Sequence, residues 1–230
     1  MRYNRIFLCL LAALLLFAGC NRAEAAKAPQ SSEFLDEIYF LGDSITAHMQ
    51  QRAAVSASRI LASKQRYLNL DSRITYARIV APDTGDEEPI ATVVGRLQPR
   101  YLVITLGIDY GVYYYRNEPQ KFTACYQKLL DSLQAASPNT VLLPQSIFPV
   151  TAASAVITNE MIDNANTLIA ALAAERGLYY LDTQSVLRDE NGFLRAEYCF
   201  SEDGIHLNEA AYAAILSYIS SQAEKVGWQA

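Results

Sequence analysis

The chain has 230 residues, 51% of them apolar, and carries 24 acidic against 19 basic side chains for a formal charge of −5. An acidic surface without a basic cluster excludes a nucleic-acid partner. Two histidines and no Cys-x-x-Cys pair leave too few ligands for a protein-built zinc site.

Arg2 and Arg5 precede an apolar run from Ile6 to Phe17 that is short for a bilayer span and ends in Ala18 and Gly19 before Cys20. This pattern predicts a secretory leader over 1–19 rather than a fold element. The segment 20–34, polar and rich in alanine, reads as a tether. Residues 35–230 then suffice for one domain with a sizeable core.

Along that domain short apolar strands alternate with amphipathic helices. The strand candidates are 37–42, 73–80, 101–107, 140–148 and 178–183. Helical stripes run through Phe122, Cys125, Tyr126, Leu129, Leu130 and Leu133, and through Ile162, Ala165, Ile169 and Leu172. Segment 49–72 is less periodic and reads as partly helical. Asn191-Gly192 predicts a small hairpin, and a last helix starts near Asn208 and buries Ala211, Tyr212, Ile215, Leu216 and Ile219. Such alternation produces a three-layer α/β/α sandwich around a parallel sheet of about five strands. Sites in these sheets form at the carboxyl ends of the strands.

The first strand ends in Gly42-Asp43-Ser44, with Ser44 opening a helix. A serine there either caps the helix or exposes its hydroxyl beside unpaired backbone N–H groups that suit a developing oxyanion. Asp203 and His206 lie three residues apart before the last helix. One short loop can thus supply the base that a nucleophilic serine needs and the carboxylate that orients that base. His48, one helical turn after Ser44, is a rival base, but no acid is placed to orient it. Cys125 shares the apolar stripe of its helix and reads as a buried thiol, while a Cys125–Cys199 disulfide stays open.

Gly42-Asp43-Ser44-Ile45-Thr46 with Asp203-Gly204-Ile205-His206-Leu207, in this order and separation, resembles the SGNH, or GDSL, hydrolase family of esterases and lipases, from about Glu37 to Ile219. The resemblance implies the sandwich fold with flavodoxin-like strand order. It also implies ester hydrolysis without metal or other cofactor, with Ser44 as nucleophile, His206 as base and Asp203 behind it. The Phe17-Ala18-Gly19-Cys20 ending is similar to a bacterial lipobox, which implies acylation of Cys20 and a lipid-anchored, extracytoplasmic protein at the bacterial cell surface. In the family the oxyanion hole takes a backbone N–H from Ser44, one from a glycine after the second strand, and a side-chain amide from an asparagine after the third. Gly85 is the glycine available here, either for that role or as a simple turn residue, and the asparagine position holds Asp109.

An ionised aspartate has no donor and repels an oxyanion. Asp109 is therefore either protonated and donating, turned away, or inactivating. Tyr110, Tyr113 and Tyr114, with Tyr115 and Gln145, follow strands that lead to the expected cleft. Aromatic faces suit sugar rings, so the expected substrate is an O-acetyl or short acyl ester on an envelope or dietary glycan. The alternatives are a lysophospholipase or thioesterase, which needs a long apolar groove, and a disabled scaffold that binds glycans.

Overall fold

The computed structural model describes residues 31–229. The expected leader, Cys20 and most of the tether lie outside the described residues. Helix α1 (Ser31–Asp36) covers the last residues of the segment read as a tether. Its Phe34 is buried edge-on against Tyr101 at 5.1 Å and beside Trp228 at 5.7 Å.

Four parallel strands form the sheet: β1 (Ile38–Gly42), β2 (Ile60–Leu61), β5 (Tyr101–Thr105) and β6 (Val141–Pro144), in the order β2-β1-β5-β6. All five residues of β5 are buried, as a strand covered on both faces requires. Leu181 pairs in parallel with Gln145 beyond β6 at a single bridge, so the expected fifth strand over 178–183 is reduced to one contact. With that bridge the order is flavodoxin-like. Helices α3 (Ile90–Leu97), α4 (Pro119–Ala136) and α5 (Asn159–Glu175) pack together through α4, while α1 and α2 (Ser44–Arg52) pack on α6 (Glu209–Ser221). The buried stripes of α4, α5 and α6 are those read from the sequence.

The second strand is not where the sequence placed it. Ile60 and Leu61, inside the segment read as partly helical, pair with Phe40 and Leu41. Residues 73–80 instead form a 3₁₀ turn (Ile74–Tyr76) and strand β3 (Arg78–Val80), which pairs antiparallel with β4 (Glu87–Pro89) outside the main sheet. Two residues are too few to show an alternation, which is why β2 left no signal. The Asn191-Gly192 hairpin forms as expected. Asp189 accepts the N–H groups of Asn191 and Phe193 at 2.9 Å each, and Arg188 bridges Leu194.

Candidate active site

At the carboxyl end of β1 the chain must pass close to β5. A side chain on Gly42 would place its Cβ 2.3 Å from the Thr105 carbonyl oxygen and 2.1 Å from Thr46 Oγ1, so glycine alone fits. Asp43 follows, 1% exposed, and its Oδ2 accepts the N–H groups of Gly107 and Ile108 at 3.0 Å each. The Asp43 carboxylate thereby fixes the turn after β5, where Gly107 has φ +134. Burial, reinforced by the charge of Asp109, holds its carboxyl well above the usual carboxylate range.

Ser44 opens α2 and is half-buried. Its hydroxyl donates to Asp109 Oδ1 at 2.6 Å and its backbone N–H to Asp109 Oδ2 at 3.0 Å. The backbone N–H of Leu68 also favours the charged form of that carboxylate. Asp109 is therefore not turned away. It grips the candidate nucleophile and covers the backbone N–H that would receive an oxyanion. Burial raises the Asp109 carboxyl, against the lowering effect of the bonds from Ser44 and Leu68 and of His206 nearby.

The Asp203–His206 pair is formed. His206 Nδ1 lies 2.6 Å from Asp203 Oδ2, and Asp203 Oδ1 accepts the N–H groups of Ile205 at 2.8 Å and His206 at 3.1 Å. Burial works against the charge of Asp203, but these bonds outweigh it and hold the carboxyl far below its ordinary value. Gly204 makes this turn possible, with φ +73 and the Thr151 hydroxyl where a Cβ would stand. The His206 ring meets that of His48 edge-on at 4.7 Å, which brings the pair onto the helix that Ser44 begins. His48 is pushed down to about 4, first by burial and then by His206 and Arg52, and its buried Nδ1 has no hydrogen-bond partner among the described residues. Among those residues no hydrogen bond joins Ser44 to His206. The serine proton points to Asp109 instead.

Other expected site residues stand elsewhere. The N–H of Gly85 donates to the Ala81 carbonyl at 2.7 Å, closing the loop between β3 and β4, so this glycine is a turn residue and offers no free donor. Gln145 is 2% exposed and is consumed inside the sheet, accepting from the Thr105 hydroxyl at 2.6 Å and donating to Thr183 Oγ1 at 2.9 Å. It lines no cleft. Tyr110 stacks on Tyr114 at 4.0 Å, Tyr113 meets Tyr114 edge-on at 5.6 Å, and Arg116 covers Tyr113 at 4.2 Å, so much of this cluster's aromatic area is satisfied internally. Cys125 and Cys199 are free thiols. Asp43 and Leu68 were not singled out from the sequence. Asp43 sits inside the Gly-Asp-Ser run, yet nothing in spacing says that its carboxylate turns inward, and the role of Leu68 is played by a backbone N–H that every residue but proline has.

The family model described as GDSL-like lipase/acylhydrolase matches residues 40–214. No curated protein matches the chain. Among solved structures, a GDSL-like lipase from Bacteroides thetaiotaomicron superposes with a TM-score of 0.55 at 17% identity, over 84% of this chain and 90% of that one. An acetyl-xylooligosaccharide esterase variant from Geobacillus stearothermophilus gives 0.52 at 15% identity, over 84% and 94%. An active-site mutant of a family two carbohydrate esterase from Clostridium thermocellum gives 0.53 at 14% identity, over 84% of this chain and 64% of the other. At these identities the likeness establishes the fold.

Proposed function

The chain belongs to the GDSL-like lipase/acylhydrolase family, and from that premise we propose that it is a serine esterase that removes O-acetyl or other short acyl groups from a glycan. The observation that carries this reading is the Asp203–His206 pair, bonded at 2.6 Å and packed on the helix that starts at Ser44. In the proposed reaction Ser44 Oγ attacks the ester carbonyl while His206 Nε2 takes its proton. Asp203 holds Nδ1–H and balances the imidazolium. His206 returns the proton to the leaving alcohol, and water, activated in the same way, releases the acid from the acyl-serine.

The oxyanion hole is the unusual part. Its donors are the Ser44 N–H and, in place of an amide, the O–H of a protonated Asp109. A carboxyl raised by burial can act in this way. The ionised form holds the serine and is silent, and protonation releases it. A second reading draws on the same contacts: a carboxylate fixed on both the O–H and the N–H of Ser44 would leave a scaffold that only binds. We further propose that the chain is exported and held at the bacterial cell surface by acyl chains on Cys20.

Hydrolysis of p-nitrophenyl acetate by the protein and by its Ser44→Ala and His206→Ala variants separates the two readings. The esterase reading expects each change to lower kcat by about 10⁴-fold or more. Absence of Ser44-dependent turnover in the wild type at every pH would establish the binding scaffold.

A further inference from the structure

A cleft of about 450 Å³ is lined by residues between Ser63 and Arg78, with Glu87 at its edge. That volume falls within the ~300–1,000 Å³ usual for ligand sites. It contains two large aromatic side chains that folding does not use: Tyr67 is 54% exposed and Tyr76 79% exposed. Leu68 and Leu70, which follow Tyr67, and Ile74 and Ile79, on either side of Tyr76, are buried and anchor the chain beside both rings. Single exposed aromatic residues are ordinary, but two in one concavity edged by polar groups make an apolar patch of the kind that binding sites present.

The platform is set in advance. The Tyr67 N–H donates to Ser63 Oγ at 3.1 Å, and Arg66 N–H closes on the Ser63 carbonyl at 3.0 Å with Arg66 at φ +62. The Tyr76 N–H donates to the Arg73 carbonyl at 2.8 Å, and Asp71 accepts the Arg73 N–H at 2.7 Å. A ligand met by such a loop loses little affinity to ordering it. The chemistry is mixed in a particular way. Flat aromatic faces attract the apolar C–H faces of a pyranose, and Gln65, Asn69, Asp71 and Arg73 can meet the hydroxyls at its rim. An acyl chain laid in the cleft would desolvate the charged groups of Asp71, Arg73, Arg78 and Glu87.

Leu68 lines this cleft, and its backbone N–H favours the charged form of Asp109, the residue that holds Ser44. Resting on the glycan-ester reading, we infer that the Tyr67–Tyr76 cleft is a binding subsite for the sugar chain that carries the ester.

The test compares acetylated xylohexaose, acetylated xylose and p-nitrophenyl acetate as substrates. Calorimetric binding of unacetylated xylohexaose, cellohexaose and chitohexaose to the Ser44→Ala variant accompanies it, so that binding is read without turnover. Tyr67→Ala and Tyr76→Ala are each expected to raise KM for the acetylated hexasaccharide and the Kd of the bound one by roughly three- to tenfold, with kcat and p-nitrophenyl acetate hydrolysis unchanged. Tyr67→Phe and Tyr76→Phe keep the ring and are expected to retain affinity. Both tyrosines are exposed, so these variants test the ligand rather than the fold. Hydrolysis of sugar acetates with no effect of either alanine change overturns the subsite and leaves the esterase reading standing. Hydrolysis of p-nitrophenyl acetate with no sugar acetate cleaved and no hexasaccharide bound overturns the glycan reading and the subsite together. A rise in KM for p-nitrophenyl octanoate alone assigns the cleft to an acyl chain and also overturns it.

Discussion

Replacing Asp109 by asparagine changes one atom type at the centre of the site and reports directly on how the serine is controlled. In the resting arrangement the carboxylate takes the Ser44 O–H at 2.6 Å and the Ser44 N–H at 3.0 Å. An amide can still accept from one of these, but as a neutral acceptor it holds about half as strongly. It also supplies the Nδ2–H donor that an ionised aspartate lacks. One oxyanion donor is worth about 10²–10³ in kcat, or about 2.7–4 kcal/mol. The Asp109 carboxyl is raised by burial, so its donating, protonated form is lost as pH rises through that raised value. The wild type is therefore expected to lose activity with rising pH along a limb that Asp109→Asn abolishes. Above the limb the variant is expected to be at least about 10²-fold faster, and below it the two should be nearly equal. Initial rates on p-nitrophenyl acetate across pH measure this. Asp43 and His206 also face Asp109, so Asp43→Asn serves as the control for the origin of the limb. A variant slower than wild type at every pH, by a factor that grows as pH rises, would refute the reasoning, because it would mean that the carboxylate takes the serine proton itself.

The rival histidine is tested by His48→Gln, which is expected to keep kcat within about tenfold while His206→Ala loses about 10⁴-fold. His48 is neutral in the fold down to about pH 4, whereas an unfolded histidine protonates near 6.5. Its contribution to stability is thus present above about pH 6.5 and lost as pH falls toward about 4, and His48→Gln should flatten the fall in Tm over that interval. Asn166, 3% exposed, accepts the Ile147 N–H at 2.8 Å and donates to the Ile147 carbonyl and Gln184 Oε1 at 2.9 Å each. Asn166→Ala strands both backbone groups of a buried residue and should cost about 2–5 kcal/mol in urea unfolding at unchanged m. Cys20→Ala is expected to move the protein from the membrane fraction to the soluble one and to abolish incorporation of labelled palmitate. An unchanged distribution would reject the lipid anchor.

What the sequence discloses depends on how local the cause is. The stripes on α4, α5 and α6 are legible because each helix repeats its period several times. The Asp203–His206 pair is legible because both partners lie within one turn of chain. The Ser44–Asp109 contact spans 65 positions, and the sequence fixes neither the direction of the carboxylate nor its partner. Gly85 misled for a related reason: a glycine after a strand marks a turn as readily as a donor, and only the 2.7 Å bond to Ala81 decides between them. Gln145 misled because a polar residue at a strand end can face the cleft or its neighbours in the sheet, and here Thr105 and Thr183 claim both ends of its amide.

The same non-local contacts tie recognition to chemistry. Three donors lower the Asp109 carboxyl against the effect of burial: the Ser44 hydroxyl, the Ser44 N–H and the Leu68 N–H. In the proposed reaction the first two leave when Ser44 attacks and its N–H turns to the oxyanion. The third is held by the loop that presents Tyr67. In the proposed transition state the growing negative charge on the substrate oxygen favours the protonated acid, while the imidazolium of His206 opposes it. On that reading Asp109 serves the oxyanion only as the acid, because its carboxylate has no proton to donate and would repel the developing charge.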